Sequence, residues 1–158
     1  MEKYGETDTR KIIKSPLNGK IFPLAEMRDE VFSSGVLGDG IAIEPYDGIV
    51  YAPAEGKVTT FFPTGHAIGI TTRDGVELLI HIGMDTVNLN GRYFNPLVRQ
   101  GEYLQIGQPM IRFDIDEIVE AGYEIKTPVI ITNPHSWNKI VSTTAQGITA
   151  GDTLLWIE

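Results

Sequence analysis

Short apolar segments, regularly interrupted by turn residues, constrain the fold of this 158-residue chain more than any other feature. β-Branched and aromatic residues fill these segments, and Gly, Pro, Asn and Asp bound them. The segments cover residues 41–43, 49–51, 57–62, 67–71, 76–82, 110–113, 129–131 and 153–157. Such strands, repeating about every 8 to 12 residues, predict an all-β antiparallel sandwich or barrel. One short helix is expected over residues 116–121, with Asp114 or Asp116 as N-cap and Gly122 at its end.

Internal echoes suggest a duplication. SPLNGKI at residues 15–21 and APAEGKV at residues 52–58 match at the same Pro and Gly-Lys positions. A second pair joins GQPMI at residues 107–111 to GDTLL at residues 151–155. With 17 glycines and nine prolines in the chain, these echoes fit either turns that reuse Pro and Gly or a duplicated β-motif. We expect a polar N-terminal tail over residues 1–12 and a single domain over residues 13–158.

Composition excludes several classes of protein. The net charge is −8 and the pI is about 4.8, so nucleic-acid binding, which needs a basic surface, is not expected. The absence of cysteine excludes a disulfide scaffold, a thiolate zinc site and a cysteine nucleophile. No apolar run approaches the roughly 18 residues of a membrane span, and the N-terminus lacks the apolar core of a signal peptide. We therefore expect a cytoplasmic protein without membrane insertion. The sequence leaves the oligomeric state open, and a monomer is the default expectation.

Two of the three histidines, His66 and His81, lie on either side of a turn signal at residues 72–75. In an antiparallel hairpin, the register of the two strands decides whether their imidazoles meet. A loop centred between Arg73 and Asp74 makes them direct cross-strand neighbours, and a two-residue Asp-Gly turn makes them diagonal neighbours on one face. A three-residue loop that closes on Gly75 puts them on opposite faces. The sequence leaves these three registers open.

Neighbouring imidazoles allow three roles: a hydrogen-bonded structural pair, zinc ligation or phosphoryl chemistry. A neutral imidazole is a competent nucleophile at pH 7 and can carry a covalent intermediate. Phosphoryl transfer otherwise needs positioning and hydrogen-bond donors around the phosphoryl oxygens. The second histidine can supply such a donor, and Thr64, two residues before His66, can add or relay a hydrogen bond.

Five ordered stretches carry a family pattern around these histidines. They are VFSSGVLGDGIAIEP at 31–45, APAEGKV at 52–58, FPTGHAIGI at 62–70, GVELLIHIGMDTVNLNG at 75–91 and TPVIITN at 127–133. Together with the GQPM turn, they make the chain similar to the glucose-family enzyme IIA domain of the bacterial phosphoenolpyruvate-dependent sugar phosphotransferase system. The resemblance extends over roughly residues 15–155.

The resemblance implies an antiparallel β-sandwich, a barrel-sandwich hybrid with a duplicated motif and at most one or two short helices. It also implies a phosphotransferase reaction that requires no cofactor. The domain would accept a phosphoryl group from the histidine-containing phosphocarrier protein HPr. It would then pass that group to a cysteine of a sugar-specific IIB domain, driving sugar uptake and phosphorylation.

The resemblance assigns roles to five residues. His81 matches the phosphorylated histidine, modified on Nε2, and His66 matches the companion that orients the phosphoryl group. Thr64 matches the threonine that hydrogen-bonds this companion. Gly83 matches the glycine whose carbonyl fixes the tautomer of the active histidine, and Asp85 matches an acidic residue at the rim.

The family also places an apolar docking ring around the histidines, which keeps water from the phosphohistidine and offers a patch for partner proteins. From the residues alone, Val31, Phe32 and Leu37 would more simply be core. The family can also share a zinc ion between the two histidines, here His66 and His81, and a carboxylate of a partner. The expected ring consists of Val31, Phe32, Val36, Leu37, Phe62, Met84 and Val87.

The sequence departs from the family pattern in places. Gly65 stands where a polar or basic residue is more usual, and Arg92-Tyr93 replaces the usual Glu-Gly. Residues 133–137 differ as well, and His135 is expected on the surface.

Two other families share parts of the pattern. A lysostaphin-like zinc peptidase needs His-x-His and His-x-x-x-Asp spacings, but Gly83 and Ile70 stand at those positions after His81 and His66. A biotinyl or lipoyl carrier domain needs a lysine at an exposed hairpin tip, whereas Lys57 lies within a predicted strand.

Overall fold

The computed structural model describes residues 11–158, and antiparallel strands dominate it. This arrangement confirms the all-β prediction and its limit of two short helices. The helices are α1 (Glu30–Ser33) and α2 (Ile115–Glu120). The strands are β1 (Lys11–Lys14), β2 (Gly19–Pro23), β3 (Asp39–Pro45), β4 (Ile49–Tyr51), β5 (Gly56–Phe61), β6 (Ala67–Thr72), β7 (Glu77–His81), β8 (Phe94–Pro96), β9 (Tyr103–Leu104), β10 (Pro109–Phe113), β11 (Thr127–Ile131), β12 (Ile140–Ser142), β13 (Gly147–Ile148) and β14 (Thr153–Ile157).

The strands form one large and two small sheets. The large sheet has the order β13-β2-β3-β11-β7-β6-β5-β9, and the small sheets have the orders β1-β14-β12 and β4-β10-β8. Most of the predicted N-terminal tail lies outside the described residues, but Lys11 and Ile12 pair with Ile157 and Trp156 of β14. Within residues 11–158, no helix is long and apolar enough to cross a bilayer.

Backbone hydrogen bonds support the duplicated β-motif. The Lys14 amide donates to the Pro53 carbonyl at 2.9 Å, and the Tyr51 amide donates to the Pro16 carbonyl at 2.8 Å. The two donors are 37 residues apart in the sequence, and so are the two acceptors, which is the spacing of the sequence repeat. Ser15 in the first copy exchanges two hydrogen bonds with the turn at residues 151–152, and Ala52 in the second copy does the same with the turn at residues 107–108. The two copies therefore pack with approximate two-fold symmetry.

The central strands of the large sheet are apolar on both faces, as the fully buried strand β11 shows. Ile68 and Ile80 belong to the main core, on the face that packs against the two small sheets. On the opposite face, Ala42 and Ile130 form a second cluster that Phe32 of α1 covers. This second cluster holds α1 against the sheet beside the end of β7.

The predicted helix is confirmed, beginning one residue earlier than expected. Asp114 is its N-cap, and the carboxylate accepts a hydrogen bond from the Glu117 amide at 3.1 Å. Gly122 follows the end of the helix with a φ of +99°, the left-handed conformation typical of a glycine C-cap. Helix α1 was not predicted, because a single turn carries no periodicity.

The β6–β7 hairpin adopts the third of the registers that the sequence left open. A three-residue loop ends at Gly75, and the Thr72 amide donates to the Val76 carbonyl at 2.8 Å. Ala67 therefore pairs with His81.

Asn133 connects the tip of this hairpin to β11 and to the divergent segment 133–137. Its side-chain oxygen accepts hydrogen bonds from the Glu77 amide at 3.0 Å and the Trp137 indole at 3.3 Å. Its side-chain amide donates to the Gly75 carbonyl at 3.0 Å. Asn133 thus holds the hairpin at the end opposite to His81.

We expect Asn133→Ala to lower the free energy of unfolding by about 1–3 kcal/mol, because two backbone groups and the Trp137 indole lose a partner. Urea unfolding would measure this loss. Asn138→Ala, at an exposed position of the next loop, is the matched control and should change stability by less than about 0.5 kcal/mol. Equal stabilities for the two variants would show that the Asn133 contacts contribute little.

Candidate functional site

The structure brings the two predicted histidines together at one end of the β6–β7 hairpin. The imidazole centroids of His66 and His81 lie 5.0 Å apart, with an angle of 80° between the rings. The expectation that this register separates the imidazoles is wrong. His66 precedes β6, which begins at Ala67, so strand alternation does not decide where its side chain lies. A turn through Gly65, with a φ of +76°, brings the chain into this position.

The orientation of the His81 ring follows from one hydrogen bond. Its Nδ1 lies 2.9 Å from the Gly83 carbonyl oxygen. Because a carbonyl only accepts, Nδ1 must carry the proton. In a neutral ring, the lone pair is then on Nε2. The ring is only partly buried, so this tautomer presents a nucleophilic nitrogen at the protein surface.

Gly83 holds its carbonyl in place through a close backbone turn. Its φ is +74°, a value that favours glycine. A Cβ atom there would lie 2.7 Å from both the Glu124 carbonyl oxygen and the Thr86 methyl group. The amide of the next residue, Met84, donates to the same Glu124 carbonyl at 3.0 Å. No other residue type fits this position without displacing the segment that orients His81.

His66 is almost fully buried, with 2% of its surface exposed. Its Nδ1 lies 2.5 Å from the Thr64 hydroxyl oxygen. Its ring makes edge contacts with Phe62 and Phe94, at centroid distances of 5.4 and 6.5 Å. Thr64 and the aromatic rings therefore fix the position of His66 beside His81.

Burial keeps both imidazoles neutral at pH 7. Desolvation, followed by repulsion from His81, lowers the pKa of His66 to about 4. Desolvation also lowers the pKa of His81, although the hydrogen bond to Gly83 and the nearby charges of Asp29 and Asp85 oppose the shift. A neutral imidazole is the form that acts as a nucleophile.

Two carboxylates lie near His81. Asp85, which the family resemblance places at the rim, is exposed and has a left-handed backbone conformation with a φ of +59°. Asp29 was not predicted. It is the N-cap of α1, and its carboxylate accepts a hydrogen bond from the Val31 amide at 2.9 Å. An aspartate directly before a short apolar helical segment was the available signal.

The seven expected ring residues divide by exposure. Phe32 and Met84 are buried in the second cluster, and the Phe32 ring lies 5.1 Å from that of His81. Leu37 is partly buried against the same cluster. Phe32 and Met84 therefore form the floor of the site beside the histidines and not its rim. The exposed members are Val31, Val36, Phe62 and Val87.

The departures from the family pattern also have structural explanations. A Cβ atom on Gly65 would lie 3.2 Å from atoms of Phe94 and Pro96, so glycine suits both the positive φ and the close packing. Tyr93 has a φ of +76°, the conformation that a glycine would adopt without strain. Arg92 lies over the Tyr93 ring at 5.2 Å and donates to its hydroxyl at 2.9 Å.

The structure does not support the two rival families. Among residues 11–158, no group of three or more His, Cys, Asp or Glu side chains could hold a metal ion. Lys57 lies within β5 and not at a hairpin tip, which differs from the position of a biotinylated or lipoylated lysine. His135 is exposed, as expected.

A nucleophilic imidazole beside a second neutral imidazole, on an antiparallel sandwich, is typical of a protein that carries a phosphoryl group on histidine. Residues 11–137 match the family described as "phosphoenolpyruvate-dependent sugar phosphotransferase system, EIIA 1". The chain therefore belongs to this family, whose members are components of a phosphotransferase relay.

Relatives of two lengths match the chain. It is 50% identical over 149 residues to a beta-glucoside-specific EIIBCA component of Halalkalibacterium halodurans, covering 94% of this chain but 23% of that protein. It is 40% identical over 151 residues to a glucose-specific EIIA component of Staphylococcus epidermidis, covering 96% of this chain and 91% of that protein. The solved structure of glucose permease IIA from Mycoplasma capricolum matches with a TM-score of 0.87 and 36% identity, over 94% of this chain and 96% of that one.

We expect Gly83→Ala to destabilise the protein and to disturb the His81 ring, because it combines a positive φ with a backbone clash. Gly101→Ala is the matched control. Gly101 also has a positive φ, +93°, but a Cβ atom there meets nothing within 4 Å. Urea unfolding should show a loss of about 1–2 kcal/mol for Gly101→Ala and a clearly larger loss for Gly83→Ala. Equal losses would contradict the close approach at Gly83.

The low pKa of His66 predicts how stability depends on pH. The native protein resists protonation of His66 down to a pH of about 4, whereas an unfolded chain takes up that proton near pH 6.5. The free energy of unfolding should therefore fall as the pH drops from 6.5 to 4. His66→Gln should show a smaller fall in the same urea titrations. An NMR titration of His66 with a midpoint near pH 6.5 would contradict the lowered pKa of this residue.

Proposed function

We propose that this protein accepts a phosphoryl group from HPr on Nε2 of His81 and passes it to a cysteine of a sugar-specific IIB domain. The observation that carries the proposal is the 2.9 Å contact between Nδ1 of His81 and the Gly83 carbonyl. It directs the lone pair of a neutral imidazole toward the incoming phosphorus atom.

In the acceptance step, Nε2 of His81 attacks the phosphorus atom of the phosphohistidine on HPr. The new N–P bond forms as the old one breaks, and the electron pair of the old bond returns to the imidazole of HPr. The Nδ1 proton of His81 stays on its ring throughout. The Gly83 carbonyl therefore stabilises the positive charge that the ring gains on phosphorylation.

His66 is suited to hold the phosphoryl group. When the Thr64 hydroxyl donates to Nδ1 of His66, the proton of this imidazole is on Nε2, which can donate to a phosphoryl oxygen. The pKa of about 4 keeps His66 neutral, so it supplies one directed donor without trapping the phosphoryl group through a full positive charge.

In the onward step, a cysteine thiolate of the IIB domain attacks the same phosphorus atom. The N–P bond to His81 breaks, and its electron pair restores the neutral imidazole. The donor from His66 stabilises the oxygen charges during this displacement, as preorganised donors do in other transfer reactions.

The exposed ring residues provide the docking surface in this proposal. The side chains of Val31, Val36, Phe62 and Val87 are exposed, and they would contact a partner around the histidines and exclude water from the reacting groups. The net charge of −8 would steer a partner that carries basic residues around its own reacting group. Asp85 lies at this rim and would contact such residues.

Relatives named for beta-glucosides and for glucose both match this chain, so we propose a glucoside or glucose permease as the recipient. The chain spans less than a quarter of the EIIBCA relatives that it matches. We further propose that the protein acts as a monomer in the cytoplasm, where HPr and the IIB domain would meet it.

The carrier reaction proposed here uses no cofactor. The paired imidazoles nevertheless have the donor chemistry to share a zinc ion through their Nε2 atoms, since each Nδ1 already has a hydrogen-bond partner. In that role His66 would take its other tautomer, in which Nδ1 donates to the Thr64 hydroxyl oxygen and Nε2 carries the lone pair. Two imidazoles do not complete a tetrahedral site. A carboxylate of a partner protein would have to close it.

We expect His81→Ala to abolish phosphoryl acceptance, because the nucleophile is lost. The measurement is intact mass after incubation with phosphoenolpyruvate, enzyme I and HPr, with and without brief acid treatment. The wild-type protein should gain one acid-labile phosphoryl group. His135→Ala, which changes an exposed histidine, is the matched control and should gain it as well. An unmodified wild-type protein in the presence of active HPr would refute the carrier function.

His66→Ala should retain some acceptance but slow onward transfer. The lost donor corresponds to about 2–4 kcal/mol of transition-state stabilisation by analogy with an oxyanion donor, which is on the order of 30-fold to 1,000-fold in rate. Quenched-flow transfer from the phosphorylated variant to a IIB domain would measure it. Transfer at the wild-type rate would contradict the role of His66.

A further inference from the structure

We propose that Thr86 is a positioning residue for His81 and that it acts through the peptide between Ile82 and Gly83. Its effect on the reaction rests on the proposed function, in which Nε2 of His81 accepts the phosphoryl group. Thr86 itself does not contact the reacting atoms.

The contact that supports this role is a buried hydrogen bond. The Thr86 hydroxyl donates to the Ile82 carbonyl, and both residues have 0% of their surface exposed. Asp85 turns the chain through its left-handed conformation and is followed directly by Thr86, which bonds back four residues along the chain. A buried carbonyl without a donor is costly, so this bond fixes the direction in which the Ile82 carbonyl points.

Three consecutive peptide units follow His81, the last of which contains the Gly83 carbonyl, and a hydrogen bond holds each of them in place. The Ile82 amide donates to the His66 carbonyl at 2.8 Å, and the Met84 amide donates to the Glu124 carbonyl at 3.0 Å. The peptide between these two is the one that Thr86 holds. Because adjacent peptide planes are linked at a single Cα atom, rotating this peptide moves the Gly83 carbonyl, which accepts the hydrogen bond from Nδ1 of His81.

Thr86 contacts the same turn through its methyl group. A Cβ atom on Gly83 would lie 2.7 Å from this methyl carbon, so the methyl group packs directly against the glycine. The hydroxyl therefore sets the direction of the Ile82 carbonyl, while the methyl group fills the space beside Gly83. Substitutions can separate these two contributions.

The test compares Thr86→Val, which keeps the shape and removes the donor, with Thr86→Ser, which keeps the donor. Nitrogen-15 NMR of the histidine rings would report the tautomer of His81, and quenched-flow mixing with phosphorylated HPr would report the rate of acceptance. We expect Thr86→Val to populate the Nε2-protonated tautomer and to slow acceptance about tenfold or more, as a misplaced reacting group does. Thr86→Ser should resemble the wild type in both measurements.

Thr72→Val is the matched control. Thr72 is also buried, and its hydroxyl accepts a hydrogen bond from the Val76 amide at 3.0 Å, at the opposite end of the same hairpin. This variant should lose stability but keep the tautomer and the acceptance rate. Should Thr86→Val fail to fold, Thr86→Ala and Thr86→Ser, which differ only in the hydroxyl, give the same comparison.

A folded Thr86→Val protein with the wild-type tautomer and acceptance rate would overturn the proposal, as would equal behaviour of the Ala and Ser variants. A shift of tautomer in Thr86→Val supports the positioning role whether or not phosphate is transferred. Failure of the wild-type protein to accept phosphate would instead refute the carrier function, so the two failures are distinguishable.

Discussion

One hydrogen bond, between Nδ1 of His81 and the Gly83 carbonyl, determines which nitrogen of the imidazole is available for chemistry. The His81 ring can contact the carbonyl of a residue just two positions later only because the chain turns back sharply at that point. That requirement explains the positive φ of Gly83 and its close approach to Glu124 and Thr86. The local sequence, the backbone conformation and the tautomer are therefore parts of one constraint. The β-sandwich holds in place the turn through Gly83 that satisfies this constraint.

Electrostatics at this site balances opposing effects. Burial lowers the pKa of His81, and the carboxylates of Asp29 and Asp85 raise it. Greater burial would favour the neutral nucleophile but oppose the charge that a phosphorylated ring gains. A carboxylate in direct contact with Nε2 would repel the phosphoryl group. Asp29 is instead bound to the Val31 amide at the start of α1, and Asp85 is exposed. Their charges thus act on His81 from the edge of the site.

The sequence predicted most of the fold because its strands are short, strongly β-forming and bounded by turn residues. The hairpin register could not be predicted, since residues 72–75 are compatible with loops of different lengths. The meeting of His66 and His81 depends on His66 lying before β6, a boundary that strand patterns do not define within one residue. Asp29 escaped notice because a four-residue helix has no period. Tyr93 was recognised as a departure, but its left-handed backbone follows from its surroundings and not from its residue type.

The approximate two-fold symmetry explains how distant segments reach one site. Gly19 and Gly56 occupy the same position in the two copies of the repeat, and each begins a strand. Each glycine also lies close to a carbonyl of the neighbouring strand, that of Glu44 for Gly19 and that of Thr71 for Gly56. The connection after β2 carries α1 with Phe32, and the connection after β5 carries the turn with His66. These equivalent connections converge on the end of β7, where the Phe32 and His66 rings lie 5.1 and 5.0 Å from that of His81. A duplicated scaffold can therefore build an asymmetric site when the segments that follow the same strand differ between its two copies.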